Sequence, residues 1–346
     1  MPRFPLNATV SPRLPSDHDP CYDVTAERGA GQRRSTISVV VCAYTERRWS
    51  ALSEALASVL AQSPPPLEAI AVIDHNDTLR DRVRDAFPQV QVIANAETQG
   101  LSGARNTGLD HARGDIVAFL DDDAVAESGW LAALTEAYSD PQVVGTGGVV
   151  LPLWKGRKPP WLPDEFLWVV GCTYRGVPER AMPIRNPIGA NMSLRREPCL
   201  VAGGFSSGLG RVGRTPLGCE ETELAIRLRQ EDAAAIVLHV PRARVHHEVG
   251  PERQRWSYYV ARCWSEGISK AIVSRLVGAE AALSAERRYV TRTLPTGAMR
   301  AVGQGLRGDR WALLRAGALL VGVGVTAAGY VRGSVARMPA PPSDRA

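Results

Sequence analysis

The sequence predicts an α/β fold, a mostly parallel, doubly wound sheet followed by a helical C-terminal extension. Short β-branched apolar segments alternate with helical segments over residues 36–250, which is typical of such sheets. Several of the apolar segments end in acids, most clearly at Asp121, Asp122 and Asp123. The carboxyl ends of parallel strands share one edge of a sheet, and α/β proteins bind ligands there. We therefore expect the functional site at these strand ends.

Length and composition fit an ordinary folded protein. The chain has 346 residues, of which 45% are hydrophobic and 22% charged, enough for one large domain or two smaller ones. Its six cysteines include no Cys-x-x-Cys pair. We expect reduced thiols in a cytoplasmic protein rather than disulfides or a zinc site.

The net charge of +5 is unevenly distributed. Residues 250–346 carry 15 Lys/Arg against 6 Asp/Glu, whereas the first 249 residues carry 26 against 30. A basic end on an acidic protein indicates an anionic partner, either nucleic acid or a membrane surface. Nucleic acid is disfavoured, because the aromatic residues do not interleave with the charges on one sheet face.

The predicted sheet begins after a proline-rich segment. Residues 1–35 lack periodicity and an apolar core of signal-peptide length, so we expect a disordered or loosely draped leader. The β-branched run at 37–44 is typical of a central strand, and Pro64-Pro65-Pro66 ends the helix that follows it at about 49–62. Further strands are expected at 67–73, 90–93 and 115–120, with a helix at 100–111.

The second half of the domain is less regular. Residues 152–188 form a long proline-rich segment of the kind that is usually functional, in which Trp154, Trp161 and Trp168 either pack or stack on sugar rings. The regular segments expected around it are a helix at 129–138, strands at 143–151, 188–196 and 234–240, a glycine-rich loop at 203–218, a helix at 219–228, and an extended piece ending at His247.

The acids at 121–123 and at 220–221 can each be interpreted in two ways, as functional groups or as ordinary structural features. Asp121, Asp122 and Asp123 repel one another unless a cation lies among them, and carboxylate oxygens suit Mg²⁺ or Mn²⁺; otherwise they form a solvated turn. Glu220 and Glu221 open a predicted helix, where the helix dipole favours acids whatever their function. No Gly-x-Gly-x-x-Gly turn follows the first strand and no P-loop is present, so dinucleotide binding and P-loop chemistry are disfavoured.

Six short motifs occur in the order that family 2 glycosyltransferases show. They are Ala-Tyr-x-Glu at 43–46, a strand ending in Asp74, Gly-x-x-x-Ala-Arg-Asn at 100–106, Phe-Leu-Asp-Asp-Asp at 119–123, Asn-Met-Ser-Leu-Arg-Arg at 191–196 and Cys-Glu-Glu-Thr-Glu-Leu at 219–224. The sequence between about 36 and 247 thus resembles this family, which has the GT-A fold and uses nucleotide-sugar donors. Residues 73–76 and 266–271 also resemble the glucosyl-dolichyl-phosphate glucuronosyltransferases.

The resemblance implies a role for each matching residue. It places Ala43, Tyr44 and Glu46 in the nucleoside pocket, Asp74 at the base, Arg105 at the donor, Asp121 and Asp123 on the metal, Glu221 as general base, and His247, or else His246, near the metal. Asp122 and Asn191, in the same motifs, are expected among the substrate-binding residues.

Three departures from the family pattern matter. His75 stands where a second aspartate is usual, and Glu220-Glu221 replaces the usual Glu-Asp, so either glutamate is a candidate base. Arg255-Trp256 is present, but Glu252 replaces the glutamine of the processive synthase motif. Transfer of a single sugar is therefore expected rather than polymer synthesis.

The C-terminal region, residues 251–346, is expected to be helical, basic and membrane-associated. It contains an amphipathic helix at 253–277, a second helical stretch at 279–302, and an uncharged run at 316–331 that is shorter than the ~20 residues a spanning helix needs. A buried hairpin, an in-plane helix and a marginal span all remain open. The arginines favour an anionic membrane surface on the cytoplasmic side.

Together these features predict a metal-dependent, inverting glycosyltransferase. It would move one sugar from a nucleotide-diphosphate donor to a polyprenyl-linked or glycan acceptor, as in the making of cell-envelope polysaccharides. A metal assists the leaving diphosphate, and one carboxylate activates the acceptor hydroxyl. The alternatives are a sugar-nucleotide nucleotidyltransferase on a related fold and a catalytically silent membrane-associated binding protein.

Overall fold

A nine-stranded mixed sheet organises the chain in a computed structural model that describes residues 35–207, 209–210 and 217–336. The expected leader therefore lies, apart from its last residue, outside the described residues, as does part of the glycine-rich loop. The strands are β1 Ile37–Ala43, β2 Glu68–Ile73, β3 Gln91–Ala94, β4 Ile116–Asp121, β5 Ala124–Ala126, β6 Val143–Trp154, β7 Met182–Pro183, β8 Asn191–Arg195 and β9 Ile236–Val249.

Helices cover the sheet and form the C-terminal part. They are α1 Trp49–Leu60, α2 Asp77–Ala86, α3 Leu101–His111, α4 Trp130–Ala137, α5 Arg196–Val201, α6 Glu220–Glu231, α7 Trp256–Val277, α8 Ala279–Ala282, α9 Ser284–Arg288, α10 Leu294–Leu306 and α11 Ala312–Val335. A π-helical turn, Tyr289–Thr293, joins α9 to α10.

The first four strands form the predicted parallel half of the sheet, in the order β3-β2-β1-β4. Alternate residues of each strand face opposite sides. Val39 and Val41 join a core with α1 and α4, whereas Val40 joins a second core with α3 and α6. Each face is therefore covered by helices, as expected for a doubly wound α/β fold.

Antiparallel pairs enter after β4, so the sheet is mixed rather than parallel throughout. β8 lies between β4 and β6 and is antiparallel to both, and β6 is parallel to β9. The two pieces expected at 234–240 and up to His247 form one strand, because β9 pairs along most of its length with β6. β5 adds an antiparallel pair at the far end of β9.

The segment 152–188 and the C-terminal helices share one hydrophobic cluster. Phe166 and Val169 pack with Tyr259 of α7 and Leu319 of α11. Trp154, Trp161 and Trp168 pack against the same cluster, which accounts for them as packing residues. The described cysteines, Cys42, Cys172, Cys199, Cys219 and Cys263, are all free.

Candidate active site

Two acids and a histidine from different strands converge at the end of β4. Asp121 ends that strand, and the antiparallel pairing of β5 with β9 sets Ala124 opposite His247. One ligand atom each from Asp121, Asp123 and His247 lies within 4.8 Å of the other two. The three residues can hold a metal ion, and two carboxylates with an imidazole suit Mn²⁺ or Mg²⁺. Of the two candidate histidines, His246 instead contacts Glu127, at 2.7 Å.

Two arginines that sequence reasoning did not assign lie against these acids. Arg253 Nη2 donates to Asp123 Oδ2 at 2.9 Å, and its Nη1 lies 3.2 Å from His247 Nε2. Arg48 Nη1 donates to Asp122 Oδ1 at 2.9 Å and lies 3.2 Å from Asp123 Oδ2. Arg48 lies in the turn after β1, at the sheet edge where the site was expected, and this position could have suggested that it belongs to the site. No local signal marks Arg253, which is 130 residues from its partner aspartate.

The acids of this cluster differ in how they titrate. Burial, followed by repulsion from Asp123, raises the pKa of Asp122 to about 7. Burial would also raise the pKa of Asp123, but His247 and Arg253 hold it well below its usual range. Asp122 Oδ2 is buried with no hydrogen-bond partner among the described residues. An unsatisfied buried oxygen of this kind is typical of a site that accepts an ion or a ligand.

Arg105 links the metal-ligating acids to the glutamates of α6. This buried side chain donates through Nη1 to Glu220 Oε1 at 2.7 Å, and its Nη2 lies 3.5 Å from Asp121 Oδ1. Its Nη2 also donates to the carbonyl of Gly189 at 3.1 Å. Arg105 therefore holds the two acidic groups at a fixed separation, a role compatible with the expected contact to the donor.

The two adjacent glutamates have different surroundings. Both line the main cavity, but Glu220 is paired with Arg105, whereas Glu221 carries no ion pair in the described structure. Burial, then the charge of Glu220, raises the pKa of Glu221 to about 7. Cys219, just before them, has a φ of 73°, and its thiol donates to Glu266 Oε1 at 3.3 Å. This left-handed residue directs the start of α6 towards the cavity.

The residues expected around the nucleoside lie on the other side of Asp121. Tyr44 is 50% exposed, and Glu46 accepts a hydrogen bond from Asn76, while the Ala43 carbonyl accepts from the Asp74 backbone N–H. The Asp74 carboxylate contacts three neighbours, namely the ring of His75 at 2.8 Å, Asn95 Nδ2 at 2.7 Å and the N–H of Gly100 at 3.0 Å. The contact of Asp74 with a base stays a prediction.

Asn191 is placed differently from the expectation. Its Nδ2 donates to the carbonyls of Val149 and Ala243, and its Oδ1 accepts from the indole N–H of Trp130 at 2.8 Å. The side chain is fully buried, and it is absent from the lining of the main cavity. Its polar atoms are thus used to join strands, so the sequence motif marks a structural residue here rather than a substrate contact.

The main cavity has a volume of about 1,220 Å³. Its lining includes Asp121, Arg105, Glu220 and Glu221, together with residues of α7, of the π-helical turn and of α11. Small-molecule sites are usually about 300–1,000 Å³, so this cavity has room for more than one substrate. One expected metal ligand, Asp121, and the expected base thus face a common space.

Comparison with known proteins agrees with this geometry. The sequence profile described as Glycosyl transferase family 2 matches residues 38–200. A glucosyl-dolichyl phosphate glucuronosyltransferase from Haloferax volcanii is 37% identical over 244 residues, which cover 69% of this chain and 78% of that protein. The chain belongs to glycosyltransferase family 2. This membership disfavours the alternative that the protein is a sugar-nucleotide nucleotidyltransferase.

Solved structures of glycosyltransferases share the GT-A fold of this family 2 enzyme. The mannosyltransferase PcManGT from Pyrobaculum calidifontis, in complex with GDP-Man and Mn²⁺, aligns with a TM-score of 0.58 at 19% identity over 91% of each chain. GalNAc-T7 with UDP, GalNAc and Mn²⁺ aligns with a TM-score of 0.50 at 16% identity, over 75% of this chain and 57% of that one. The predicted fold class is confirmed.

Proposed function

We propose that this family 2 enzyme transfers one sugar, with inversion, from a nucleotide-diphosphate sugar to a hydroxyl group of a lipid-linked acceptor. One observation carries the proposal. The candidate metal ligand Asp121 and the candidate base Glu221 line the same cavity, and Arg105 contacts both Asp121 and Glu220, the residue next to Glu221. A leaving diphosphate and an attacking hydroxyl can therefore be held on opposite sides of one sugar.

The donor would bind across the end of β4. Tyr44 and Asp74 would face the nucleoside, and Arg48 and Arg253 would turn from Asp122 and Asp123 towards the negative diphosphate. Asp121, Asp123 and His247 would hold Mn²⁺ or Mg²⁺, which supplies Lewis-acid stabilisation of the leaving group. The neighbours named with UDP, GDP-Man and Mn²⁺ support this assignment.

Glu221 is the proposed general base. Glu220 Oε1 is held by Arg105 in an ion pair, which keeps this carboxylate charged beside Arg105 and less suited to take up a proton. Glu221 faces the cavity, and its raised pKa lies near neutral pH, where a general base works best. A single base acting on the hydroxyl opposite the leaving group gives direct displacement and hence inversion of the anomeric centre.

A membrane lipid is the proposed carrier of the acceptor. The similarity to an enzyme named for dolichyl phosphate supports this, as does the basic C-terminal region. Helix α11 has a mean hydropathy of 1.7 over its most apolar window, of which 28% is buried. Since one side of α11 is packed along α7, we infer that it lies in the plane of the inner leaflet on the cytoplasmic side.

A donor screen tests the proposal. The enzyme is incubated with a panel of UDP-, GDP- and dTDP-sugars, Mn²⁺ or Mg²⁺, and glucosyl polyprenyl phosphate in lipid vesicles. We expect one donor to release nucleoside diphosphate, a chelator to stop the release, and added Mn²⁺ to restore it. Asp121→Asn should be inactive, whereas Asp110→Asn, an exposed control on α3, should match the wild type. A folded enzyme that uses none of these donors would contradict the proposal.

A further inference from the structure

One side of α11 is exposed and apolar. Leu313, Leu320, Ala327 and Val331 recur at helical spacing on this side, and Leu313, Leu320 and Val331 are 72%, 74% and 62% exposed. No charged residue lies between Arg315 and Arg332. A helix that faces water normally carries polar residues on its outer side. Here the opposite side of α11 is packed on α7, so both sides of this helix are apolar.

The main cavity opens on this apolar side. Ala327 and Val331 are exposed and also line the cavity, and Val290, from the π-helical turn, does the same at 47% exposure. Exposed apolar surface and cavity wall are thus continuous at these three residues. The same cavity is also lined by Glu221 and Asp121. An apolar chain lying against α11 would have its head group inside the cavity.

Charged side chains of both signs line the cavity. The basic ones are Arg105, Arg180, Arg185, Arg262, Lys270, Arg288 and Arg292, and the acidic ones are Asp121, Glu179, Glu220, Glu221, Glu266 and Glu286. Lys270 Nζ lies 2.7 Å from Glu286 Oε1, and Arg262 Nη2 lies 3.2 Å from Glu266 Oε2. The acids therefore offset most of the positive charge. Contacts that run from Cys219 through Glu266 and Lys270 to Glu286 place basic side chains between Glu221 and the turn Tyr289–Thr293, where they can donate to an anionic group.

We propose that this cavity binds a polyprenyl phosphate that enters sideways from the membrane, between α11 and the turn Tyr289–Thr293. The apolar chain stays against α11, the phosphate binds among the basic residues that include Arg292, and the sugar hydroxyl reaches Glu221. This proposal rests on the proposed function for its acceptor, and it adds the binding site and the route of entry. The apolar, basic and catalytic residues that line the cavity thus correspond to the lipid, the phosphate and the sugar of the substrate.

A steric block tests the route of entry. Ala327→Trp fills the opening, whereas Ala328→Trp adds the same bulk at the neighbouring exposed position that does not line the cavity. We expect Ala327→Trp to raise the KM for glucosyl polyprenyl phosphate in vesicles by at least about tenfold. Donor hydrolysis without acceptor, and transfer to a short-chain glucosyl citronellyl phosphate, should change little. Val331→Trp with the control Val335→Trp repeats the test should the first variant be unstable.

A charge substitution tests the phosphate contact. Arg292→Gln should weaken binding of the lipid acceptor about tenfold, the effect of losing one charged hydrogen bond. Arg292→Lys should restore most of the binding, because the positive charge is kept. Arg287→Gln is the matched control, since Arg287 is exposed one turn earlier and does not line the cavity.

Binding and turnover are measured separately, so that the two proposals fail separately. Binding of undecaprenyl phosphate in detergent micelles, followed by tryptophan quenching, needs no donor. If Ala327→Trp and Ala328→Trp bind it equally well, or Arg292→Gln binds it as the wild type does, the inferred site is wrong even when transfer is intact. If binding follows the expected order while no donor is used, the site stands and the proposed function fails.

Discussion

At the residue scale, the two glutamates at the start of α6 differ in their contacts although they are adjacent in the sequence. They are adjacent in sequence and share a helix N-terminus, so propensity and the helix dipole treat them alike. The structure distinguishes them, because both line the cavity but Arg105 pairs with Glu220, at 2.7 Å, and Glu221 has no ion pair among the described residues. The sequence predicted the pair but could not choose between them, since Arg105 lies 115 residues away.

Replacing the proposed base should abolish transfer without loss of the donor. Glu221→Gln keeps the size of the side chain but cannot accept the proton, so we expect kcat to fall by about 10²–10⁴. Calorimetric titration with the donor should show unchanged affinity. Glu231→Gln, on the exposed end of α6, is the control and should behave as the wild type. Wild-type turnover by Glu221→Gln would remove Glu221 from the mechanism.

The pH dependence should report the ionisation of Glu221. A base acts in its charged form, and the pKa of Glu221 is raised to about 7, so kcat/KM should fall as the pH drops below about 7. Glu220→Gln removes the neighbouring negative charge and leaves Arg105 nearby, while Glu266 and Arg262 stay unchanged. The pKa of Glu221 should then fall, which moves the acidic limb of the profile to lower pH. A limb that stays in place or moves up would contradict this.

At the element scale, glycines set the distance between α7 and α11. A Cβ added at Gly329 would lie 2.3 Å from the carbonyl oxygen of Trp264, and one at Gly267 would lie 2.1 Å from that of Thr326. The backbones of the two helices therefore approach one another closely, as small residues allow. Tyr259 Oη also donates to the Ala318 carbonyl at 2.7 Å. These contacts hold α11 against the rest of the protein along its inner side.

Adding a methyl group at the contact should destabilise the pair of helices. We expect Gly329→Ala to lower the free energy of unfolding by about 1–3 kcal/mol, the usual effect of overpacking. Gly324→Ala is the matched control on the same helix, because nothing lies within 4 Å of its added Cβ. Alanine favours helix over glycine by about 1 kcal/mol, so the control should be neutral or stabilising. Thermal unfolding of the two variants measures this difference. Equal melting temperatures would contradict the prediction.

The sequence predicted the regular elements better than their order in the sheet. Strands β1, β2 and β4 were expected within a residue or two, because their β-branched runs are bounded by prolines, glycine and acids. The insertion of β8 between β4 and β6 was not expected. Strands β4 and β8 are about 75 residues apart in the sequence, and pairing over such a distance leaves no local signal. The same limit applies to Asn191, whose motif was visible but whose hydrogen bonds to β6 and β9 were not.

At the scale of the whole molecule, positive charge and exposed apolar side chains are concentrated after residue 250. The first 249 residues are net acidic, and they include Asp121, Asp123 and Glu221. The exposed apolar residues of α10 and α11 include Met299, Leu306 and Leu313, at 68%, 86% and 72% exposure. The charge asymmetry was evident in the sequence, whereas the opening of the cavity beside α11 required the fold.

Binding to membranes should depend on both charge and the apolar face. In vesicle flotation, the enzyme should bind vesicles rich in phosphatidylglycerol more strongly than phosphatidylcholine vesicles, and salt should weaken the binding. Leu320→Asp should reduce binding. Val201→Asp, a residue on α5 with nearly the same exposure (73% against 74%), should have no effect. Equal binding to both lipids, or equal loss in both variants, would contradict an α11-mediated contact.

The most direct test of the account follows both products in one reaction. The enzyme, Mn²⁺, a sugar-labelled donor and glucosyl polyprenyl phosphate in vesicles are incubated together, and nucleoside diphosphate release is compared with label in the extracted lipid. The account predicts equal amounts of the two products for the wild type, and neither product for Asp121→Asn or Glu221→Gln. Label that never enters the lipid, or transfer that survives both substitutions, would contradict it.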